Sequence, residues 1–263
     1  MILKGKVVMI TGIGPGLGSK LALAALEQGA SVVLASRNTD RLIHFEESAV
    51  DKGFSSQSIL KHPADITDRG VCDALADHAV SHFGRIDALI NSAYDPGSFS
   101  SVDRADLDSW QRPMQVNLFG TLQLTQAVVP HMRAHGGGSI VMVNTMAVHK
   151  PMLFNGGYAA SKAALASASA HLALELGADN IRVNSVYLGW MWGTSVEEYM
   201  RGEAQQRGVD LETVKAEVIR QIPLGRIPTD DECAKAALFF ASDLSSVVTG
   251  ASLDVNGGDF MPH

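Results

Sequence analysis

Short apolar segments alternate along the chain with longer segments in which leucine, alanine and valine recur at helical spacing. Glycine or polar residues bound each short segment, which favours buried β-strands over helices. The predicted strands cover residues 6–11, 31–36, 57–61, 86–91, 139–144, 181–187 and 252–255. The first predicted helix runs from residue 19 to Gly29, and the later ones cover residues 39–52, 67–83 (with Thr67 as its cap), 107–134, 156–178 and 230–242.

This alternation predicts βαβ units and therefore a parallel sheet. The predicted fold class is α/β: a single-domain, Rossmann-type, doubly wound parallel sheet of about seven strands with helices on both faces. No proline- or glycine-rich linker divides residues 1–263, so we expect one domain. Residues 190–222 contain aromatic residues and methionines and then become charged and helical, which predicts a lid-like substrate segment over a site.

The composition is that of a globular protein, with 46% hydrophobic and 19% charged residues. A net charge of −7 without any basic run argues against a nucleic-acid partner. Cys72 and Cys233 lack metal-ligand spacing and cannot build a disulfide framework, so we predict buried helix residues and no metal site. No apolar stretch approaches the roughly 20 residues that span a bilayer. The first strand leaves no room for a signal peptide, so we expect a cytoplasmic protein without membrane partners.

A glycine cluster joins the first strand to the first helix, with glycine at positions 12, 14, 16 and 18. A helix N-terminus presents unpaired N–H groups and the positive end of its dipole, so phosphate binds there when no side chain blocks its approach. The spacing G-x-x-x-G-x-G between an apolar strand and an amphipathic helix predicts a dinucleotide-binding domain. A flexible turn is the alternative interpretation.

The end of the second strand indicates which dinucleotide binds. An acidic residue there would bind the adenosine 2′-hydroxyl of NAD, but this chain has Ser36, Arg37 and Asn38. Arg37 can face a 2′-phosphate as a planar, permanently charged donor, and Ser36 does not repel it. NADP(H) is therefore favoured. NAD(H) stays possible, with Arg37 as a solvated surface charge, because Pro15 stands where many NADP users carry a basic residue.

Tyr158 and Lys162 lie four residues apart at the start of an alanine-rich predicted helix, so their side chains share one face. A cation beside a phenol stabilises the phenolate and lowers the phenol's pKa. Such a pair is suited to moving a proton on and off an alcohol or carbonyl oxygen near neutral pH. Because this spacing is usually only a solvated pair, the interpretation depends on the other motifs.

In their order along the chain, these motifs resemble the short-chain dehydrogenase/reductase superfamily of the single-domain type. Residues 11–18 resemble its TGxxxGxG loop, and residues 158–162 resemble its YxxxK motif. The resemblance spans essentially the whole chain. Its other matching segments are Asp65-Ile66, Asn91-Ser92-Ala93-Tyr94, Asn117, Arg182-Val183-Asn184, Thr249-Gly250 and residues 254–258.

The resemblance implies an NAD(P)-dependent oxidoreductase that interconverts a secondary alcohol and a ketone or aldehyde. It implies that Tyr158 is the general acid or base and that Lys162 lowers its pKa and holds the nicotinamide ribose. Thr145 would then hydrogen-bond the substrate oxygen, and Asn117 would anchor a water of a proton relay. The cofactor-binding residues that it implies, together with the glycine loop and second strand, are Gly12, Gly14, Gly16, Leu17, Gly18, Ser36, Arg37, Asn38, Asp65, Ile66, Asn91, Ser92, Ala93, Tyr158, Lys162, Gly189 and Thr194.

Three departures from the family pattern concern the site. Thr145 stands where the family has serine, which keeps the hydroxyl but adds a methyl group and a stiffer side chain. Tyr94 replaces the glycine of the family's NNAG, so a ring occupies space beside the cofactor or the pocket mouth. Leu188-Gly189 replaces a Pro-Gly turn, and the hydroxyl of Thr194 comes one place late.

The segment after Thr145 and the residues of the 190s are predicted to line the substrate pocket. The candidates are Tyr94, Met146, His149, Met152, Trp190, Met191, Trp192 and Tyr199. Aromatic and methionine side chains favour an apolar site for a ring-bearing or lipophilic alcohol or ketone. The alternatives are that Trp190 and Trp192 pack the lid or a subunit contact, and that His149 is a surface loop residue.

The resemblance also implies a homo-oligomer, tetramer or dimer, whose only other partner is a small-molecule substrate. A catalytically silent dinucleotide-binding sensor or scaffold of the same fold is the alternative function. The retained Tyr158, Lys162, Asn117 and Thr145 hydroxyl argue against it. A non-redox epimerase or dehydratase is a third possibility, but such relatives usually have a larger C-terminal substrate region.

Overall fold

The computed structural model describes residues 1–262, which contain one seven-stranded parallel sheet in the order β3-β2-β1-β4-β5-β6-β7. Its strands are β1 (Val7–Thr11), β2 (Ser31–Ser36), β3 (Ile59–Pro63), β4 (Ala88–Asn91), β5 (Gly138–Thr145), β6 (Ile181–Leu188) and β7 (Ser252–Val255). The strand order reverses between β1 and β4, as in a doubly wound sheet. The predicted fold class is confirmed.

Helices connect the strands. They are α1 (Leu17–Glu27), α2 (Thr39–Asp51), α3 (Arg69–Phe83), α4 (Gln111–Pro113), α5 (Thr121–Ala134), α6 (Gly156–Leu176), α7 (Thr194–Arg207), α8 (Leu211–Ile219) and α9 (Asp230–Ala241). A π-helical segment, Met114–Gly120, joins α4 to α5. None of these helices within residues 1–262 is both long and apolar enough to cross a bilayer.

The sheet separates two apolar cores, because successive side chains of a strand point to opposite faces. In β1, Val8 and Ile10 pack against α1, α2 and α9, whereas Val7 and Met9 pack against α3, α5 and α6. Cys72 and Cys233 are free thiols buried in these two helical layers, as predicted. The six strand pairings are all parallel, so the carboxyl ends of the strands meet at one edge.

One local prediction was wrong. The cap of α3 is Asp68, whose side chain accepts from the Val71 N–H at 3.1 Å, whereas Thr67 hydrogen-bonds to Asp65. The helical region predicted over residues 107–134 is helical throughout, and it consists of a 3-10 turn (Leu107–Trp110), α4, the π-helical segment and α5. The cap and this division depend on local hydrogen bonds, to which the apolar spacing is insensitive.

The segment predicted as lid-like folds into α7 and α8, which share a small core of their own. Its buried members are Met200, Ala204, Val214, Ile222 and Ile227. Trp190 and Trp192 pack against this core. The two helices therefore form a compact unit at the carboxyl end of β6.

Candidate active site

The site is a crevice along the carboxyl edge of the sheet, where ligands bind in doubly wound folds. Two adjoining cavities of about 380 Å³ and about 810 Å³ occupy it. Gly12, Ser92 and Tyr94 line both cavities, so the two adjoin past the end of β1. The smaller one extends over β5 and β6, and the larger one over β2.

The glycine turn lets α1 begin directly against the end of β1. Gly12 has φ +78°, and a Cβ there would lie 2.7 Å from the Ala93 nitrogen. A Cβ on Gly18 would overlap the carbonyl oxygen of Gly12. No side chain caps α1 at Gly16, and a Cβ on Gly16 would enter open space. The first N–H groups of α1 are therefore free to bind an anion, which fits a dinucleotide pyrophosphate.

The larger cavity has the polar lining predicted for an adenosine end. Ser36, Arg37, Asn38, Asp65, Ile66, Ser92 and Ala93 all line it. Burial alone would raise the pKa of Asp65, but hydrogen bonds from Thr67 and the charges of Arg112 and Arg37 outweigh it and lower the pKa. Asp65 is therefore a carboxylate at neutral pH and a fixed acceptor in this cavity.

Sequence reasoning missed two arginines of this cavity. Arg41 lines both cavities, and its guanidinium Nη1 lies 3.3 Å from where a Cβ of Gly14 would be. Arg112 lies 3.7 Å from Asp65 and 3.8 Å from Asp95. Arg41 lies in the first turn of α2, directly after the cofactor-binding candidates at the end of β2, and this position could have identified it. Arg112 had no such signal.

The smaller cavity brings three of the four predicted catalytic residues together beside the glycine turn. Thr145 ends β5, and Tyr158 and Lys162 lie in the first turns of α6; all three line this cavity with residues 12–18. The Thr145 side chain lies beside the Tyr158 phenol and lowers its pKa. The Lys162 ammonium donates to the carbonyl oxygen of Val143 at 2.7 Å. Three groups that can handle a proton thus share one enclosure.

Burial sets the pKa values of the pair. It lowers the pKa of Lys162 to about 7 and raises the pKa of Tyr158. The neighbouring Tyr94 raises the pKa of Tyr158 further, whereas the Thr145 side chain lowers it. In the protein alone, the expected lowering of the phenol's pKa by Lys162 is therefore absent, because both groups are desolvated. The phenol is a proton donor at neutral pH, and the charge of Lys162 depends on pH in that range.

Asn117 acts on the site through its neighbours. Its amide donates to the Ser161 hydroxyl and to the Asp95 carbonyl oxygen, both at 2.9 Å, and accepts from the Asp95 N–H at 2.7 Å. Ser161 in turn donates to the Tyr158 carbonyl oxygen at 2.7 Å. Asn117 lies in the π-helical segment and does not line either cavity. It ties the loop after β4 to the turn of α6 that holds Tyr158.

The structure places most of the predicted pocket residues elsewhere. Trp190 packs on Tyr199 at 5.8 Å, and the Lys215 ammonium lies 4.3 Å from the Trp192 ring. These three aromatic residues belong to the α7–α8 unit, as the alternative interpretation for the tryptophans held. The Trp192 N–H donates to the Pro228 carbonyl oxygen, which fixes the strand-like backbone here. Neighbouring side chains then point in opposite directions, and Met191 faces the cavity instead.

Four further predicted residues lie outside the cavities. The His149 ring packs between Tyr187 at 4.7 Å and Phe260 at 5.3 Å. Asn91 is buried and donates to Thr125. Met146 is buried in the core, and Met152 is exposed on the surface. Of the predicted residues in the 90s and 190s, those that line the smaller cavity are Ser92, Tyr94, Met191 and Thr194, next to Gly189. Sequence reasoning missed Leu188, Ser195, Val196 and Asp230, which also line it.

A family model described as enoyl-(acyl carrier protein) reductase matches residues 12–259 of the chain. The chain belongs to the short-chain dehydrogenase/reductase family. The 7alpha-hydroxysteroid dehydrogenase of Escherichia coli (strain K12) is 32% identical over 256 residues, which are 97% of this chain and 94% of that protein. The match covers the glycine turn, the Tyr158 helix and the α7–α8 unit alike.

Solved structures of other proteins resemble this dehydrogenase/reductase over its full length. L-Sorbose reductase from Gluconobacter frateurii, complexed with NADPH and L-sorbose, has a TM-score of 0.92 and 29% identity and covers 100% of both chains. NAD⁺-bound xylitol dehydrogenase has a TM-score of 0.89 and 29% identity, covering 98% of this chain and 100% of that one. This short-chain dehydrogenase/reductase is accordingly an NAD(P)-dependent oxidoreductase acting on alcohol and carbonyl groups.

Proposed function

We propose that this short-chain dehydrogenase/reductase uses NADP(H) to interconvert a secondary alcohol and a ketone or aldehyde on an apolar or cyclic small molecule. The observation that carries the proposal is the enclosure of Thr145, Tyr158 and Lys162 in one cavity with the uncapped N-terminus of α1. The cofactor, when bound, supplies or accepts the hydride. The chain supplies the proton and the shape of the pocket.

In the reduction, the Tyr158 phenol donates its proton to the substrate oxygen as the carbonyl carbon accepts the hydride. Burial raises the pKa of Tyr158, so the phenol is protonated at neutral pH and has a proton to give. The Thr145 hydroxyl, which lines the same cavity and accepts from the Ala147 N–H, can donate to the oxygen on which charge develops. Lys162, one helical turn on, stabilises the resulting phenolate when it carries its proton.

The preference for NADP(H) is supported by the cations around the larger cavity. Arg37 and Arg41 line it and form no ion pair with a carboxylate within residues 1–262, whereas Arg112 is held by Asp65 and Asp95. Asp40 also lines the cavity, but no acidic residue ends β2, where NAD-binding folds place one. Two unpaired guanidinium groups at this end suit a 2′-phosphate.

An apolar or cyclic substrate is supported by the side chains around Tyr158. Tyr94 is 51% exposed, and its ring lies 6.3 Å from the Tyr158 ring, edge to face. Met191, Leu188 and Val196 line the same cavity. Two further apolar residues, Phe99 and Phe154, are exposed in loops that the hydrogen bond from the Ser100 N–H to the Phe154 carbonyl oxygen joins at 3.1 Å. Such a surface suits a bulky apolar ligand better than a polyol.

The cofactor preference is tested by fluorescence titration of the purified protein with NADPH and NADH. We expect tighter binding of NADPH, and about tenfold weaker NADPH binding in Arg37→Met and in Arg41→Met, because each change removes one charge-assisted contact. NADH affinity should stay within about twofold in both variants. Arg104→Met, which removes an exposed arginine outside both cavities, is the matched control. Equal or tighter NADH binding by the unaltered protein would contradict the proposal.

A further inference from the structure

A third cavity of about 520 Å³ lies between α1 and α2, beside the cofactor crevice. We name it the α1–α2 groove. It shares Gly14, Pro15 and Arg41 with the smaller cavity of the site and is otherwise separate from it. Its remaining lining residues are Ser19, Lys20, Leu23, His44, Phe45, Ser48, Ala49 and Lys52. The reaction described above uses none of these eight residues.

One wall of the groove is a polar stripe along α2. Arg41, His44, Ser48 and Lys52 follow one another at helical spacing, so they share one face. Eleven residue steps separate Arg41 from Lys52, which at about 1.5 Å per residue gives a stripe roughly 16 Å long. The groove is thus elongated, with hydroxyl and cationic groups along one side.

The groove has unbalanced positive charge. Within residues 1–262, Arg41, His44 and Lys52 form no ion pair, and only Lys20 is paired, with Asp231 at 3.0 Å. No carboxylate lines the groove, although the chain carries a net charge of −7. A concentration of unpaired cations on an acidic protein favours an anionic ligand at this place.

Apolar side chains complete the lining of the groove. Leu23 comes from α1, and Phe45 and Ala49 come from α2, beside the polar stripe; both α2 residues also belong to the core that covers this face of the sheet. A purely polar anion would gain nothing from these side chains. An anion attached to a hydrocarbon chain would place its charge at the cations and its chain on the apolar residues, and so use both.

We propose that the α1–α2 groove binds the anion of a medium-chain fatty acid. The carboxylate lies at Arg41 and His44, and the alkyl chain runs along Leu23, Phe45 and Ala49 toward Lys52. The methylene stem of Lys52 packs beside the chain while its ammonium stays in water. This binding requires only the groove and no cofactor.

Occupancy of the groove opposes NADPH binding, a consequence that rests on the proposed preference for NADP(H). Arg41 lines both the groove and the larger cavity. Its guanidinium would bind a carboxylate and a 2′-phosphate more weakly when both are present than when either is alone. NADH has no 2′-phosphate and should be affected less. The fatty acid would therefore inhibit the enzyme from outside the substrate pocket.

Binding is tested by titrating the cofactor-free full chain with decanoate, using calorimetry and methyl NMR. We expect saturable binding at one site, with shifts of the Leu23 methyl groups larger than those of Val196 in the substrate pocket. Neutral decanol and inorganic phosphate should each bind at least about tenfold more weakly, because each lacks one half of the recognition. Equal binding of decanol, or shifts confined to Val196, would overturn the proposal.

Variants distinguish the groove from other sites. The double variant His44→Gln/Lys52→Met should weaken decanoate binding about tenfold, and Ser48→Leu, which fills the groove, should weaken it further. Lys235→Met removes an exposed, unpaired lysine of α9 and is the matched control, with unchanged affinity. The double variant changes only exposed side chains, so its folding does not depend on packing. Unaltered decanoate affinity in it would overturn the proposal.

The antagonism is measured by repeating the NADPH and NADH titrations at saturating decanoate. We expect the Kd of NADPH to rise at least about fivefold and that of NADH to change by less than about twofold. An unchanged Kd of NADPH would contradict the shared use of Arg41. If NADH instead proves the preferred cofactor while decanoate still binds, the cofactor proposal fails and the groove stands.

Discussion

Lys162 is 2% exposed, and its ammonium donates one hydrogen bond within the chain, to the carbonyl oxygen of Val143. Desolvation disfavours the charged form and lowers its pKa to about 7. In the unfolded chain a lysine titrates near about 10.4. This buried amine therefore links the stability of the protein to pH in the range where the enzyme works.

The sign of that linkage follows from the two pKa values. Between about pH 7 and about pH 10.4 the unfolded chain holds a proton at Lys162 that the folded chain lacks, so the free energy of unfolding rises with pH. The rise is at most about 1.4 kcal/mol per pH unit. Below about pH 7 Lys162 is protonated in both the folded and the unfolded chain, and the destabilisation caused by burying its charge is constant and at its largest.

Lys162→Met removes this contribution. Relative to the unaltered protein, the variant should be most stabilised below about pH 7, and the difference should shrink as the pH rises toward about 10. Urea unfolding of both proteins across this range measures it. Curves of unfolding free energy against pH that stay parallel would show that Lys162 keeps its ordinary pKa when folded.

For individual residues, the sequence predicted which side chains meet in the site but not their pKa values. The spacing of Tyr158 and Lys162 and the resemblance around Thr145 were sufficient to predict groups that the structure places in one cavity. Their pKa values depend on burial by distant parts of the chain, which no local pattern contains. The same holds for Arg41, whose position against Gly14 depends on how α2 packs beside the glycine turn.

Among the elements, α1 depends most tightly on two glycines that do different work. A Cβ on Gly18 would overlap the Gly12 carbonyl oxygen, whereas a Cβ on Gly16 would meet no protein atom within 4 Å. Gly18 therefore allows α1 to pack on β1. Gly16 keeps the space in front of the helix N-terminus open for a ligand.

The two glycines should separate in experiment. Gly18→Ala should lower the free energy of unfolding by roughly 2 kcal/mol or more, since the clash involves backbone on both sides. Gly16→Ala should leave thermal stability close to that of the unaltered protein and weaken NADPH binding about tenfold or more. Chemical unfolding and fluorescence titration provide the two measurements. Normal NADPH affinity in the folded Gly16→Ala variant would show that the cofactor phosphate does not bind at the N-terminus of α1.

The α7–α8 unit has its own small core, of which Met200 is completely buried. Met200→Ala should loosen this unit by about 2–5 kcal/mol. If α7 and α8 open as a lid, amide exchange should accelerate there and not in the sheet, and KM should rise more than kcat falls. Met132→Ala, equally buried beneath the sheet, is the control and should lower global stability. Amide exchange that accelerates equally in the α7–α8 unit and in the sheet, in both variants, would contradict a lid that moves separately.

The elements themselves followed closely from apolar periodicity, with strand ends displaced by at most a few residues. What the periodicity did not contain was the direction of side chains in irregular backbone. Trp190 and Trp192 pack into the α7–α8 unit because hydrogen bonds to the loop before α9 hold the chain extended. Asn117, in the π-helical segment, likewise has a hydrogen-bond partner, Ser161, that lies 44 positions away in the sequence.

The order of the strands in the sheet brings the residues of the site together. The reversal between β1 and β4 leaves a crevice at the carboxyl edge, and both the glycine turn and the β5–α6 connection open into it. Cofactor-binding and proton-transferring residues come from segments more than 100 positions apart along the chain. Because alternating strands and helices admit few parallel arrangements, this much was predictable from the sequence.

The proposed reaction depends on the transfer of the Tyr158 phenol's proton to the oxygen of a carbonyl substrate. Its most direct test is the rate of NADPH oxidation by Tyr158→Phe with a panel of cyclic and aliphatic ketones, alongside the Kd of NADPH. Tyr187→Phe, which alters a buried tyrosine outside the cavities, is the matched control. We predict that turnover in Tyr158→Phe falls by about 10² to 10⁴ while the Kd of NADPH stays within about twofold. Turnover within tenfold of the unaltered enzyme would contradict the account.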